Sequence, residues 1–158
     1  MRVAQSRASA WLGLQRHPPR TGVAYVAVRV VVYIIALVLM GLVYGTKERG
    51  LFIAPPVGLI GAAGTWYLLG DTPADARRRI ILAGGVGLLL AELTWAFGYW
   101  DVSALVGGAA LWLGFYVLSG VVEHGAASSL DNRVAAEYAL VAAIGSLIIL
   151  VVARPWSI

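Results

Sequence analysis

The sequence predicts an all-α protein, a polytopic membrane helix bundle of five transmembrane helices joined by short loops. The chain of 158 residues is 60% hydrophobic and only 13% charged, whereas an ordinary soluble domain has about 25% charged residues. Its apolar residues also form five separate runs, each close to the roughly 20 residues that a helix needs to cross the hydrocarbon. The runs cover residues 22–45, 51–70, 80–100, 102–122 and 134–152.

The third run indicates how the bundle is oriented. Arg77–Arg79 precede it, and Trp95, Tyr99 and Trp100 lie near its end. Arginines mark the cytoplasmic side of a span, and aromatic side chains favour the membrane interface. We therefore predict five spans in the plasma (inner) membrane, with a cytoplasmic N-terminus and an external C-terminus. The inner side would then hold Arg2, Arg7, Arg16, Arg20, Arg77, Arg78, Arg79 and Arg133, and the outer side Lys47, Arg49 and Arg154.

Residues 1–20 form a basic arm on the predicted cytoplasmic side. They contain arginines but no acidic residue, and Pro18-Pro19 stops any helix there. Two interpretations remain open, a disordered arm and an interfacial helix on anionic lipid. We expect the first apolar run to be an uncleaved signal anchor, since it is long enough to span. The net charge of +4 does not indicate nucleic-acid binding, because the basic residues lie in short clusters between apolar runs.

Two ionisable residues, Arg29 and Glu92, fall within predicted spans. A charge at the bilayer centre costs about 2.5–3.5 kcal/mol on insertion scales, so such residues usually face the bundle interior and pair. One interpretation is a structural Arg29–Glu92 ion pair between the first and third spans. The other makes Glu92 a proton or cation site. Both interpretations place the two side chains inside the bundle.

A second polar group lies between the fourth and fifth spans, on the predicted cytoplasmic side. Adjacent helical residues point about 100° apart, so the first two members of the group cannot face one partner. A single histidine among scattered carboxylates lacks the spacing of metal ligands. We expect a solvated loop with neither a metal nor a cofactor. The members of this cytoplasmic polar cluster are Glu123, His124, Asp131, Arg133 and Glu137.

Small residues recur along several spans at spacings that suit close helix packing. Gly58, Gly61, Ala62 and Gly64 form such a face on the second span, and Ala135, Ala139 and Ala143 form one on the fifth. The chain has no cysteine, which excludes disulfides and thiolate catalysis.

These patterns favour a small integral membrane protein that is a non-catalytic subunit or assembly factor acting through helix–helix contacts. Its expected partners are the lipid bilayer and either another membrane protein or further copies of itself, through the Gly and Ala faces. The alternative is a small oligomeric carrier or channel that uses Glu92. An intramembrane enzyme built on the cytoplasmic polar cluster is the third hypothesis.

Overall fold

The computed structural model describes residues 22–46, 48, 50–99, 102–127 and 129–153. These residues form five long helices and a short 3₁₀ turn at Leu69–Asp71, without strands. All five helices are long and apolar enough to cross a membrane, which confirms the predicted fold class. The basic arm at 1–20 lies outside the described residues. The helices are α1 (Val23–Gly45), α2 (Gly50–Leu68), α3 (Ala76–Phe97), α4 (Ala104–Ala126) and α5 (Asn132–Ala153).

Helix α3 begins four residues before the predicted start of the third span. Asp75 caps it, because its side-chain Oδ1 accepts a hydrogen bond of 3.0 Å from the backbone N–H of Arg78. The Arg79 guanidinium donates to the backbone oxygens of Ala74, at 2.9 Å, and Thr72, at 3.0 Å. Arg79 therefore holds the preceding loop against the helix. We call this end of the bundle, where α1, α3 and α5 begin, the arginine end.

The boundaries of α4 and α5 also differ from the predicted spans. Ser103 caps α4 by accepting a hydrogen bond of 3.4 Å from the N–H of Val106. The helix then continues to Ala126, four residues past the predicted end at 122, and so includes Glu123. Helix α5 begins at Asn132, whose N–H donates to the Asp131 carboxylate at 2.7 Å.

Helices α2 and α3 form the most extensive contact in the bundle. Their backbones meet at Gly58 and Gly87, where a Cβ added to Gly87 would lie 2.5 Å from the Gly58 carbonyl oxygen. No side chain fits there, which explains the small residues at this crossing. Helix α1 packs on α4 and α2, and α3 also contacts α4. The shared core contains Met40, Val57 and Phe115, all completely buried.

Helix α5 is peripheral. It packs on α4, and none of its described residues is buried. An apolar groove of about 430 Å³ separates α5 from α3 over the half of the bundle opposite the arginine end. α4 forms the floor of this groove. Its walls include Leu93 and Phe97 from α3 and Ser146, Ile149 and Leu150 from α5.

Candidate functional site

An ion pair joins α1 to α4 near the arginine end. The Arg29 guanidinium contacts the Glu123 carboxylate, and the two side chains are only 27% and 16% exposed. The Tyr25 ring lies beneath the guanidinium, with its centroid 5.1 Å from Arg29 Cζ, in cation–π geometry. Arg29 therefore has an acidic and an aromatic partner, each of which lowers the free energy of placing its charge inside the bundle.

The predicted Arg29–Glu92 pair is wrong. Helix α1 packs on α4 and α2, which brings Glu123 to Arg29. The two residues also lie at different depths. At about 1.5 Å per residue, Arg29 is about 9 Å from the start of α1 and Glu92 about 24 Å from the start of α3. A third span that began at residue 80, as predicted, would place Glu92 only about 18 Å from its start.

Glu92 lies on the outer surface of α3, although both interpretations of the sequence placed it inside the bundle. Its side chain is exposed, and among the described residues it has neither an ion-pair nor a hydrogen-bond partner. Its helical neighbours Leu88 and Trp95 are 62% and 58% exposed. Glu92 is therefore a polar group within an apolar outer surface, about 8 Å from the end of α3 at Phe97.

A row of aromatic and polar side chains continues inward from the ion pair. The Tyr33 hydroxyl lies 3.3 Å from the Ser119 hydroxyl, and Trp112 Nε1 donates to the Tyr33 backbone oxygen at 2.9 Å. The Tyr116 ring contacts Tyr33, Trp112 and Tyr138, with centroids 5.4, 6.0 and 5.7 Å away. This row links α1, α4 and α5 through side-chain contacts.

Gly120 allows α5 to join this aromatic row. The Tyr138 ring packs against the α4 backbone at Gly120, where an added Cβ would overlap the ring. This aromatic row was not predicted from the sequence. The available signal was the spacing of Trp112, Tyr116, Ser119 and Glu123, which places all four on one face of a helix.

The structure does not bring the five residues of the cytoplasmic polar cluster together in one site. Glu123 turns to Arg29, whereas His124 Nδ1 lies 3.1 Å from the Ser129 hydroxyl, as expected for adjacent helical residues. Arg133 and Glu137 form an i,i+4 ion pair on the surface of α5, with a distance of 3.4 Å and exposures of 87% and 65%. The solvated-loop interpretation was wrong for Glu123, which is helical and largely buried. The described residues contain no group of three His, Cys, Asp or Glu side chains that could hold a metal ion.

Comparison with known proteins places the chain in a family without assigning an activity. Residues 10–152 match a family described as protein of unknown function (DUF5656), so the chain belongs to that family. No curated protein matches the chain, and no solved structure does.

Proposed function

We propose that this member of the DUF5656 family is a non-catalytic subunit or assembly factor of the plasma membrane that acts through helix–helix contacts. Its five apolar helices are consistent with a multi-pass membrane protein. In this proposal the arginine end faces the cytoplasm, with the N-terminus inside and the C-terminus outside, as the positive-inside rule favours.

The position of Glu92 is the observation that carries this proposal. An ionisable side chain that faces hydrocarbon is unfavourable, and such residues usually face protein or a water-filled cavity. Glu92 instead faces outward from the single chain. A second protein surface over α3 would remove its carboxyl group from lipid and supply a hydrogen-bond partner. An assembly of chains therefore explains Glu92 better than an isolated monomer.

The internal polar groups support a structural role. Arg29 pairs with Glu123, and Tyr33 bonds to Ser119, so these side chains hold α1 against α4. Interhelical hydrogen bonds in membranes stabilise helix association by roughly 1 kcal/mol each. In our proposal these interactions make the bundle a stable scaffold that presents the α3 surface.

The second candidate is an oligomeric carrier or channel that uses Glu92 as a proton or cation site. The absence of a partner for Glu92 among the described residues favours this candidate. Because Glu92 lies outside the bundle, the transported proton or cation would have to pass between chains. Such a path also requires an assembly of chains. Transport would therefore need the assembly of the first proposal and, in addition, a path for the proton or cation.

Native gel electrophoresis of the full chain, extracted from its own membranes in mild detergent, tests the proposal. Wild-type protein should migrate as a complex larger than the 16.7 kDa chain. Glu92→Leu should reduce the amount of that complex. Ile34→Ala, at an exposed position on α1, should leave the complex intact. Migration of the wild-type chain as a monomer would contradict the proposal. A proton flux in proteoliposomes that Glu92→Leu abolishes would replace it with the carrier.

A further inference from the structure

We propose that the apolar groove between α3 and α5 binds one acyl chain of a phospholipid from the membrane leaflet opposite the arginine end. This lipid site belongs to the single chain and does not depend on the proposed assembly. It is supported by the way in which the walls of the groove are fixed, by the chemistry of its lining and by its dimensions.

The two walls of the groove are each fixed to α4 by a contact at a glycine. Leu93 of α3 packs against α4 at Gly114, where an added Cβ would lie 3.0 Å from Leu93 Cδ2. Leu113 of α4 packs against α5 at Gly145, where an added Cβ would lie 2.7 Å from Leu113 Cδ2. These contacts hold α3 and α5 on separate sides of α4. The groove is therefore a gap between two packed helix contacts.

The lining of the groove is suited to hydrocarbon. Among the described residues that line it, Ser146 has the only polar side chain, and a serine hydroxyl in a helix can bond to the carbonyl of the preceding turn. A bound water needs roughly two to four polar partners, so water is a poor occupant. An empty groove would leave its lining atoms without contacts on one side and forfeit their dispersion attraction. A hydrocarbon occupant avoids both costs.

The groove is about as wide as a single hydrocarbon chain. Its lining on helix α4 extends from Val106 to Leu118, about 18 Å at 1.5 Å per residue. A volume of about 430 Å³ over this length gives a mean cross-section of about 24 Å² and a width of about 5–6 Å. Carbon atoms in contact lie about 3.5–4.0 Å apart, so one chain fits. A helix with its side chains is about 10–12 Å across and is too wide to enter.

The position and length of the groove indicate a phospholipid. The groove lies in the half of the bundle opposite the arginine end, and Ala153 lines it where α5 ends. Its length of about 18 Å is close to the depth of one leaflet, which is half of the roughly 30 Å of hydrocarbon in a bilayer. A phospholipid with its headgroup at that interface would extend one acyl chain along the groove to the middle of the bilayer.

Photolabelling in native membranes tests the proposal. Membranes that contain the full chain would be fused with vesicles of a phosphatidylethanolamine that carries a diazirine near the end of one acyl chain. After illumination, mass spectrometry would locate the labelled residues. We expect the most label at Leu113 and Val117, which line the inner part of the groove.

Ile34 on the outer surface of α1 is the control position for the label. It lies about 17 Å along α1, and Leu113 lies about 14 Å along α4, so both are near the middle of their helices. Ile34 is 54% exposed, whereas Leu113 is half-buried. Random contact with lipid would therefore label Ile34 more than Leu113, and a bound acyl chain would reverse this order.

Two variants that fill the groove test whether the label depends on it. Ala142→Phe should remove most of the label from Leu113 and Val117, because the ring would occupy the space of the acyl chain. Ala143→Phe is the matched control, since Ala143 is exposed and lies outside the lining. Ser146→Leu should also reduce the label. Ser146 is exposed, so this second variant should fold even if Ala142→Phe does not.

The dependence on probe concentration separates a site from random contact. As the fraction of the photoactivatable lipid increases, the label at Leu113 should saturate, whereas the label at Ile34 should rise in proportion. More label at Ile34 than at Leu113 would overturn the proposal. Label at Leu113 that is unchanged by Ser146→Leu, or reduced equally by Ala143→Phe, would also overturn it. Migration of the chain as a monomer on native gels would contradict the proposed assembly but not this lipid site.

Discussion

Arg29 on α1 and Glu123 on α4 form the ion pair that fastens these helices near the arginine end. Removal of one partner should leave the other charge in a poorly hydrated position. Arg29→Leu or Glu123→Leu should lower the free energy of unfolding by about 1–3 kcal/mol, below the 3–5 kcal/mol of a fully buried pair because some exposure remains. Unfolding by denaturing-detergent titration would measure the change.

The double variant Arg29→Leu/Glu123→Leu should lose less stability than the sum of its single variants. Arg29→Leu/Glu92→Leu is the control, and its two effects should add because these residues do not meet. The account of the ion pair would fail if Arg29 coupled to Glu92 but not to Glu123.

Gly87→Ala should destabilise the contact between α2 and α3. The new methyl group would meet the Gly58 backbone oxygen, which cannot move aside without displacing the helix. We expect a loss of about 1–3 kcal/mol in the free energy of unfolding, typical of overpacking. Gly41→Ala is the control, since its Cβ would have no neighbour within 4 Å. Equal losses in the two variants would contradict close packing as the cause.

The five helices could be predicted from the sequence because each apolar run matches the thickness of a bilayer. The small-residue face of the second span could be predicted too, and Gly58 does meet α3. The partner of Arg29 could not be predicted, since it depends on which helices are neighbours. Ending the fourth span at 122 also assigned Glu123 to a loop and so removed the correct partner from consideration.

The outward position of Glu92 could not be predicted from the sequence either. Helical spacing identifies the residues that share a face with Glu92, but it does not indicate whether that face meets protein or lipid. The general preference of membrane carboxylates for the bundle interior suggested the wrong direction. In the proposed assembly a second chain would cover Glu92. The carboxyl group would then be surrounded by protein, although it lies on the outside of the single chain.

His124→Ala should have little effect on stability. His124 shares a hydrogen bond with the exposed Ser129 hydroxyl, and water can replace that contact. We expect the free energy of unfolding to fall by less than about 1 kcal/mol. Metal analysis of purified wild-type protein provides a second check. A stoichiometric metal that disappears with His124→Ala would disprove a purely structural role for this residue.

Membrane orientation can be measured with single cysteines, because the natural chain has none. In intact cells an impermeant thiol reagent should label Thr46→Cys and Ser157→Cys. It should not label Ser6→Cys or Asp71→Cys, the latter at an exposed position between α2 and α3, until the membrane is opened. We expect this pattern because the positive-inside rule favours a cytoplasmic position for the arginines. Labelling of Asp71→Cys in intact cells would reverse the proposed orientation.

Whether protein or lipid covers the surface of α3 around Glu92 decides the proposed function. Spin labels at Leu88→Cys and Ile34→Cys, in native membranes that hold the full chain and its partners, would report collisions with dissolved oxygen. The two sites have similar depth and exposure within one chain. We expect a low collision rate at Leu88→Cys that rises when Glu92→Leu is added, and a high rate at Ile34→Cys in both backgrounds. Equal, high rates at both sites in the wild-type background would contradict the proposed function.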